Sequence, residues 1–223
     1  MTITRTAETL RLDLTGGLAI TVAEKGYAAS TIADIVTHAR VSKRTFYEHF
    51  SDKEACLMAL YEQGCEHLLG VVRGAAGTRK SSGGWADMVH DGVTAYLFAL
   101  EDMPAVTRTL LVEIQAAGPR AYRLRQKMQR RFADTLVELV EQARVGDASI
   151  PALSPLLAIA LVGGVHELML QVSDPYAGDD ASFTSLRGAV EQLVFAVLSA
   201  PRSATAGPSG ETGPSGEAGD DLE

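Results

Sequence analysis

Residues 30–54 read STIADIVTHARVSKRTFYEHFSDKE, and this stretch decides the fold. Ser30 or Thr31 is placed to cap a short helix. Asp34, three residues after Thr31, completes a capping box in which each side chain satisfies the other's backbone N–H. Ile32, Ile35 and Val36 share the inner side of that helix, which ends near Ala39-Arg40. Val41 is an apolar plug in the turn, Ser42 caps a third helix, and Phe46 and Phe50, four apart, fold that helix back on the others. Two short helices joined by a turn of about four residues make a helix-turn-helix.

Upstream, Leu10, Leu14, Leu18 and Val22, with Ala19 and Ala23, make one face of a first helix, and Gly26 stands where a C-terminal cap is expected. The outer side of the third helix carries hydrogen-bonding groups: Ser42, Lys43 and Arg44 in its first turn, then Thr45, Tyr47 and Glu48. A recognition helix lays its N-terminal residues against base edges in the major groove, where Lys or Arg contacts guanine O6 and N7, and Lys43 and Arg44 suit that role. Ser51-Asp52-Lys53-Glu54 reads as a second capping box, opening a fourth helix and bringing its N–H groups and Lys53 to where a DNA phosphate can sit. Thr31, Tyr47 and His49 are further phosphate-contact candidates.

The ordered run Gly26-Tyr27, Ser30-Thr31-Ile32-Ala33-Asp34-Ile35, Val41-Ser42-Lys43-Arg44-Thr45-Phe46-Tyr47-Glu48-His49-Phe50 and Ser51-Asp52-Lys53-Glu54 resembles the N-terminal domain of TetR-family transcriptional regulators, over residues 8–60. The remaining two-thirds match that family only in length and helical character. The resemblance implies a homodimer that binds a palindromic operator, usually as a repressor, and releases it when a small ligand enters the C-terminal domain. The family usually has Gly where this chain has Arg40. Either the turn differs or Arg40 bears a strained positive φ, and its charge then lies close to the DNA face as a further phosphate contact.

Past residue 60 no stretch alternates apolar and polar with period two over strand length, and successive segments repeat at three and four, so the chain reads as all-α with about nine helices. Trp85, Met88, Val89, Gly92, Val93, Tyr96 and Leu100 form one stripe. Ala121, Leu124, Met128, Phe132, Leu136, Leu139 and Ala143 form another, with Arg120, Arg123, Arg130 and Arg131 turned outward as a solvated face. Breaks fall at Gly77–Gly84, Pro104, Gly118-Pro119, Gly146–Pro151 and Asp174-Pro175. The division expected is a DNA-binding domain over 1–52, a helical effector-binding and dimerisation domain over 53–200, and a disordered acidic Gly/Pro/Ser tail over 201–223.

A helix over Ser154–Ser173 is apolar nearly all round, with Gly163-Gly164 allowing close approach, and a last helix from about Ala181 to Ser199 has a broad apolar stripe. Together they suit a four-helix dimer interface, with Leu161, Gly164, Leu168, Val190, Leu193, Val194 and Val197 facing the second copy. A mostly apolar effector pocket is expected among helices four to eight. Its candidate lining residues are Trp85, Met88, Tyr96, Tyr122, Met128, Phe132 and Met169, with Glu113 and His166 as polar handles. Unpaired burial of either handle costs several kcal/mol, so each needs a partner, neutralisation or an exposed position.

Composition narrows the function classes. The 20 Lys and Arg against 28 Asp and Glu leave a net charge of −8, so any DNA contact is local. The longest apolar run, Leu156–Val165, is short for a membrane span, which needs about 20 residues. Two cysteines make no disulfide framework, and the start Met1-Thr2-Ile3-Thr4-Arg5 has no hydrophobic secretory segment, so a cytoplasmic protein is expected. No nucleotide-binding, hydrolase or zinc-hydrolase motif is present; neither catalysis, a cofactor nor a metal is expected, and Cys65-Glu66-His67 point apart on a helix. The expected partners are double-stranded DNA, a second copy and a small effector. The competing reading is an interaction protein that uses the same fold to bind a protein partner, with DNA secondary.

Overall fold

A computed structural model describes residues 6–77, 84–173 and 182–199. Among these the chain forms nine α-helices and two short 3-10 turns, with no strand. The helices are α1 Ala7–Ala29, α2 Ile32–Ala39, α3 Lys43–His49, α4 Lys53–Gly77, α5 Trp85–Asp102, α6 Pro104–Leu111, α7 Pro119–Gly146, α8 Pro155–Val172 and α9 Arg187–Ser199. The tail over 201–223 and the start of the last helix near Ala181 lie outside the described residues. The described part of that helix begins at Arg187, after a 3-10 turn over Thr184–Leu186.

Helix α1 buries Leu14, Leu18, Ala19 and Val22 against α2 and α4, while Ala23, expected on the same face, is exposed. Gly17 lets α2 come close: a Cβ there would lie 2.6 Å from the Ile35 carbonyl oxygen. At Gly26 the helix breaks with φ 75°, a left-handed value that glycine adopts at little cost, and the chain runs on to Ser30 in a separate turn. Thr31 caps α2 through both arms of the expected box with Asp34, whose carboxyl is held well below the usual carboxylate range by bonds from Lys25 and Thr31.

One buried cluster runs from Leu14 through Phe46, Leu57 and Leu69 to Leu100, Met128, Met169 and Val190, crossing residue 52 without interruption. A second, around Ala133, Val140, Ile150, Leu153, Ala158 and Leu198, closes the end farthest from α3. Helices α4 and α7 run side by side and are joined by a row of ion pairs: Arg120 with Asp52 and Glu54, Lys127 with Glu62, Arg131 with Glu66, and Arg73 with Glu138. The Arg120–Arg131 face is turned outward as expected, with Arg123 and Arg130 exposed and Arg120 and Arg131 paired across to the acidic side chains beside them. Periodicity identifies an outward side but not the acidic helix beside it.

Helix α8 reaches 18 residues and is long and apolar enough, by length and composition alone, to cross a membrane. Here its sides are divided between the interior, through Ala158, Leu161 and Met169, and an outer face on which Leu156, Leu157 and Ile159 are exposed.

Candidate functional sites: a recognition helix and an apolar cavity

The second helix of the pair, α3, is short and held on three sides. Phe46 is fully buried and stacks on Phe50, ring centroids 5.8 Å apart, and edge-on against Tyr47 at 5.5 Å. Ser42 caps its N-terminus, its Oγ accepting from the Thr45 N–H at 3.0 Å. At the other end Arg11 of α1 donates to the His49 carbonyl oxygen at 3.0 Å and lies over the Phe50 ring at 4.5 Å. Nothing in the spacing of the sequence marks Arg11, because it sits on the polar side of a helix whose apolar side carries the pattern.

So clamped, α3 presents Lys43, Arg44, Tyr47 and Glu48 to solvent, with Ser42 exposed and Thr45 and His49 half-buried. Arg44 is paired along the helix with Glu48 at 3.1 Å, but at 89% exposure this pair is weak and its guanidinium is free to exchange partners. Lys43 and Arg40 form no ion pair among the described residues. Arg40 adopts φ 52°, ψ 47°, so the turn keeps the left-handed conformation and Arg carries it in place of Gly. Its N–H donates to the Thr37 and Val36 carbonyl oxygens, which closes α2.

Two residues expected at phosphates are engaged within the fold. The Thr31 hydroxyl donates to Asp34 at 2.6 Å as part of the cap. Lys53 turns inward: its Nζ donates to the carbonyl oxygens of Tyr27, at 2.8 Å, and Ser30, at 2.7 Å, and lies 4.3 Å from the centre of the Tyr27 ring. Burial pushes its ammonium below the ordinary lysine value. The carbonyls freed where α1 breaks at Gly26 recruit the nearest cation, which corrects the placing of Lys53 at a phosphate. The Ser51–Glu54 box is also replaced. Asp52, one residue nearer, accepts from the Ala55 N–H, and Glu54 is drawn to Arg120 at 3.2 Å.

The second site is an apolar cavity of about 190 Å³ bounded by α4, α5, α6, α7, α8 and α9. All seven residues of the Trp85–Leu100 stripe border it, as do Phe132, Leu136, Leu139 and Ala143 of the α7 stripe. Of the expected lining residues, Trp85, Met88, Tyr96, Phe132 and His166 are present. Met128 and Met169 are fully buried in the core instead, and Tyr122 is 54% exposed, accepting from Gln126 on the outer side of α7. Glu113 does not border the cavity: it lies beside Gly26 and accepts from the Tyr27 N–H and Arg108. Tyr61 and Gln129 also border the cavity. They were missed because Tyr61 lies on a long helix with no stripe singled out and Gln129 is polar between apolar neighbours.

Burial pushes the Cys56 and Cys65 thiols up to about 12, so both are held protonated. Cys65 borders the cavity, Glu66 pairs with Arg131 and His67 is exposed, three different directions from one helical turn.

Residues expected at a dimer interface divide between two environments. Leu161 and Val190 are buried and border the cavity together with Val194, and a Cβ on Gly164 would meet Leu193 at 3.1 Å, so these residues hold α9 to α8 within one chain. Leu168 and Val197 are half-buried against the core. The exposed positions are instead Leu156, Ile159 and Ala160 on α8, with Ala189, Gln192 and Ala196 on α9. An all-apolar helix gives periodicity nothing with which to distinguish inward from outward, and Leu161 and Val190, expected outward, are the two that turn fully inward.

Residues 20–60 match the family model described as bacterial regulatory proteins, tetR family. A curated relative, the uncharacterized HTH-type transcriptional regulator YerO of Bacillus subtilis, is 43% identical over 49 residues, which span 22% of this chain and 16% of that protein. Among solved structures, the fold is similar to FadR of Bacillus subtilis in complex with stearoyl-CoA, with a TM-score of 0.68 and 15% identity over 84% of this chain and 97% of that one. It is also similar to FadR of Bacillus halodurans, at 0.71 and 17% over 85% and 96%. A tetR-family regulatory protein of Rhodococcus RHA1 compares at 0.64 and 19% over 87% and 98%. The family-model match takes in the whole of α2 and α3, with the end of α1 and the start of α4, so the likeness in sequence is that of the helix-turn-helix.

Proposed function

We propose that the chain regulates transcription by binding a palindromic operator as a homodimer, represses from it, and is released by a small, mostly apolar effector. The observation that carries the reading is the exposed face of α3, where Lys43, Arg44 and Tyr47 project from a helix fixed at both ends. Lys43 and Arg44 read base edges, while Arg40, Ser42, Thr45, Tyr47 and His49 hold phosphates. A two-fold pairing of the outer faces of α8 and α9 covers Leu156 and Ile159 and sets the two recognition helices one DNA turn, about 34 Å, apart or slightly more. The apolar cavity takes the effector. That the similar FadR structure contains stearoyl-CoA supports a cavity of this kind holding an apolar ligand. The protein acts in the cytoplasm, without catalysis or cofactor.

The test is binding of the purified protein to the intergenic DNA upstream of its own gene against scrambled DNA at two salt concentrations, since nonspecific affinity is dominated by salt. The expected result is preference for one palindromic segment by a dimer, lost in Lys43→Ala/Arg44→Ala while the dimer persists. Equal affinity for all DNA at both salts, together with no specific site in genome-wide DNA capture, would overturn the reading.

A further inference from the structure

The cavity is long and thin. Its walls run from Tyr61 to Ala76 along α4 and from Gln129 to Ala143 along α7, about 20 Å at 1.5 Å per residue. Its volume is only about 190 Å³. An engineered apolar cavity of about 150 Å³ holds a single benzene ring. A similar volume bordered over that length suits an extended chain.

Polarity is graded along the tube. The end nearer α3 carries Tyr61, Cys65, Tyr96, Gln129 and His166, from four helices. The far end is bordered by Trp85, Ala143, Ile150, Leu153 and Leu198. His166 Nε2 is buried with no hydrogen-bond partner among the described residues, an unfavourable state unless something fills it. Arg125 of α7, which forms no ion pair among the described residues, lies near enough to hold the imidazole neutral together with burial, and its field favours an anionic over a cationic neighbour.

We propose that the cavity binds one unbranched aliphatic chain, its tail toward Leu153 and Leu198, with a carboxyl or carbonyl oxygen at its head accepting a hydrogen bond from His166 Nε2. This rests on the effector reading above and names the class of ligand. Neutral His166 places its single ring proton on Nε2 when an acceptor arrives there, and Gln129 offers a second donor at the same end.

Trp85, the single tryptophan of the chain, borders the far end of the tube and reports on the tail. Full-length protein is titrated with tetradecanoic acid brominated either at its terminal carbon or beside the carboxyl, reading Trp85 fluorescence. The expected result is saturable quenching, strong with terminal bromine and weak with bromine at the head. His166→Leu weakens the acid about tenfold or more and leaves tetradecane unaffected, and His166→Gln, which keeps a donor, restores part of the loss. A Cβ on Gly92 meets nothing within 4 Å, so Gly92→Leu projects into the tube and should abolish quenching with helical content unchanged.

Stronger quenching from the head position, unchanged affinity in His166→Leu, or saturation by tetradecanoyl-CoA but not by the acid would overturn the proposal. Binding of the acid with no effect on operator affinity would sink only the release reading. Operator release by compounds that leave the bromine quenching untouched would sink only the present proposal.

Discussion

Glu113 and Tyr27, 86 positions apart, are joined by a hydrogen bond of 3.1 Å from the Tyr27 N–H to Glu113 Oε2. Glu113 lies just after α6 and Tyr27 just after the break in α1, so the bond ties the helix-turn-helix to the body of the protein. The carboxylate also accepts from Arg108 at 3.1 Å, and the Tyr27 carbonyl accepts from Lys53 of α4 at 2.8 Å. One residue thus joins α1, α4 and the segment after α6 through its own backbone, where a helix end would otherwise leave polar groups unsatisfied.

Removing either arm should loosen that joint. Glu113→Ala is expected to cost about 1–3 kcal/mol and Lys53→Met about 2 kcal/mol, as for bonds to charged groups in half-buried positions. Denaturant midpoints with an unchanged m-value check both. The Lys53 variant separates an internal role from a phosphate contact, because a pure phosphate contact would leave folding stability where it was.

Arg40→Gly removes the side chain from a left-handed backbone position with φ 52°. Relief of that strain is expected to raise stability by up to about 1 kcal/mol, a gain offset in part by the greater freedom of Gly in the unfolded chain. Operator affinity should fall in the same variant, with its salt dependence reduced by about one ion, if Arg40 neutralises a phosphate. Thermal melting and a salt titration read the two effects separately.

Gly17→Ala should be among the most damaging small substitutions in the helix-turn-helix. The added carbon would lie 2.6 Å from the Ile35 carbonyl oxygen and 3.0 Å from the Ala39 backbone nitrogen, and backbone cannot step aside as a side chain can. Forced separation of α1 from α2 is expected to cost about 1–3 kcal/mol, despite the better helix propensity of Ala. Gly16→Ala, with nothing within 4 Å, is the control and should be neutral or stabilising.

Stability should also depend on pH through His166. Burial first, and the Arg125 charge second, push its imidazole below the ordinary value of 6.5, against a smaller opposing effect of Glu167. The folded state therefore resists a proton that the unfolded chain accepts. Its contribution is fully present above pH 6.5 and is lost as the pH falls below it. Melting temperatures measured down to about pH 5 should drop more steeply for the native chain than for His166→Leu, and parallel curves would show that the imidazole is solvated.

The sequence alone determined the helix-turn-helix, because its information is local. Thr31 and Asp34 cap each other, Ser42 caps its own helix, Phe46 and Phe50 share one face, and Pro104 and Pro119 open helices, all within four residues of their partners. The same locality made the Trp85–Leu100 stripe legible as one wall of a cavity. Tertiary structure alone decided which groups meet across the chain. Glu113 had no local sign that its partner would be the Tyr27 N–H, nor Lys53 that the break at Gly26 would free carbonyls for it. Leu161 and Val190 were assigned to the wrong side because helices apolar on several faces carry no phase, and only packing against α4, α5 and α7 gives them one. Local backbone chemistry acts over one helical turn, whereas burial and pairing act over the whole fold, and the sequence order does not record those distances.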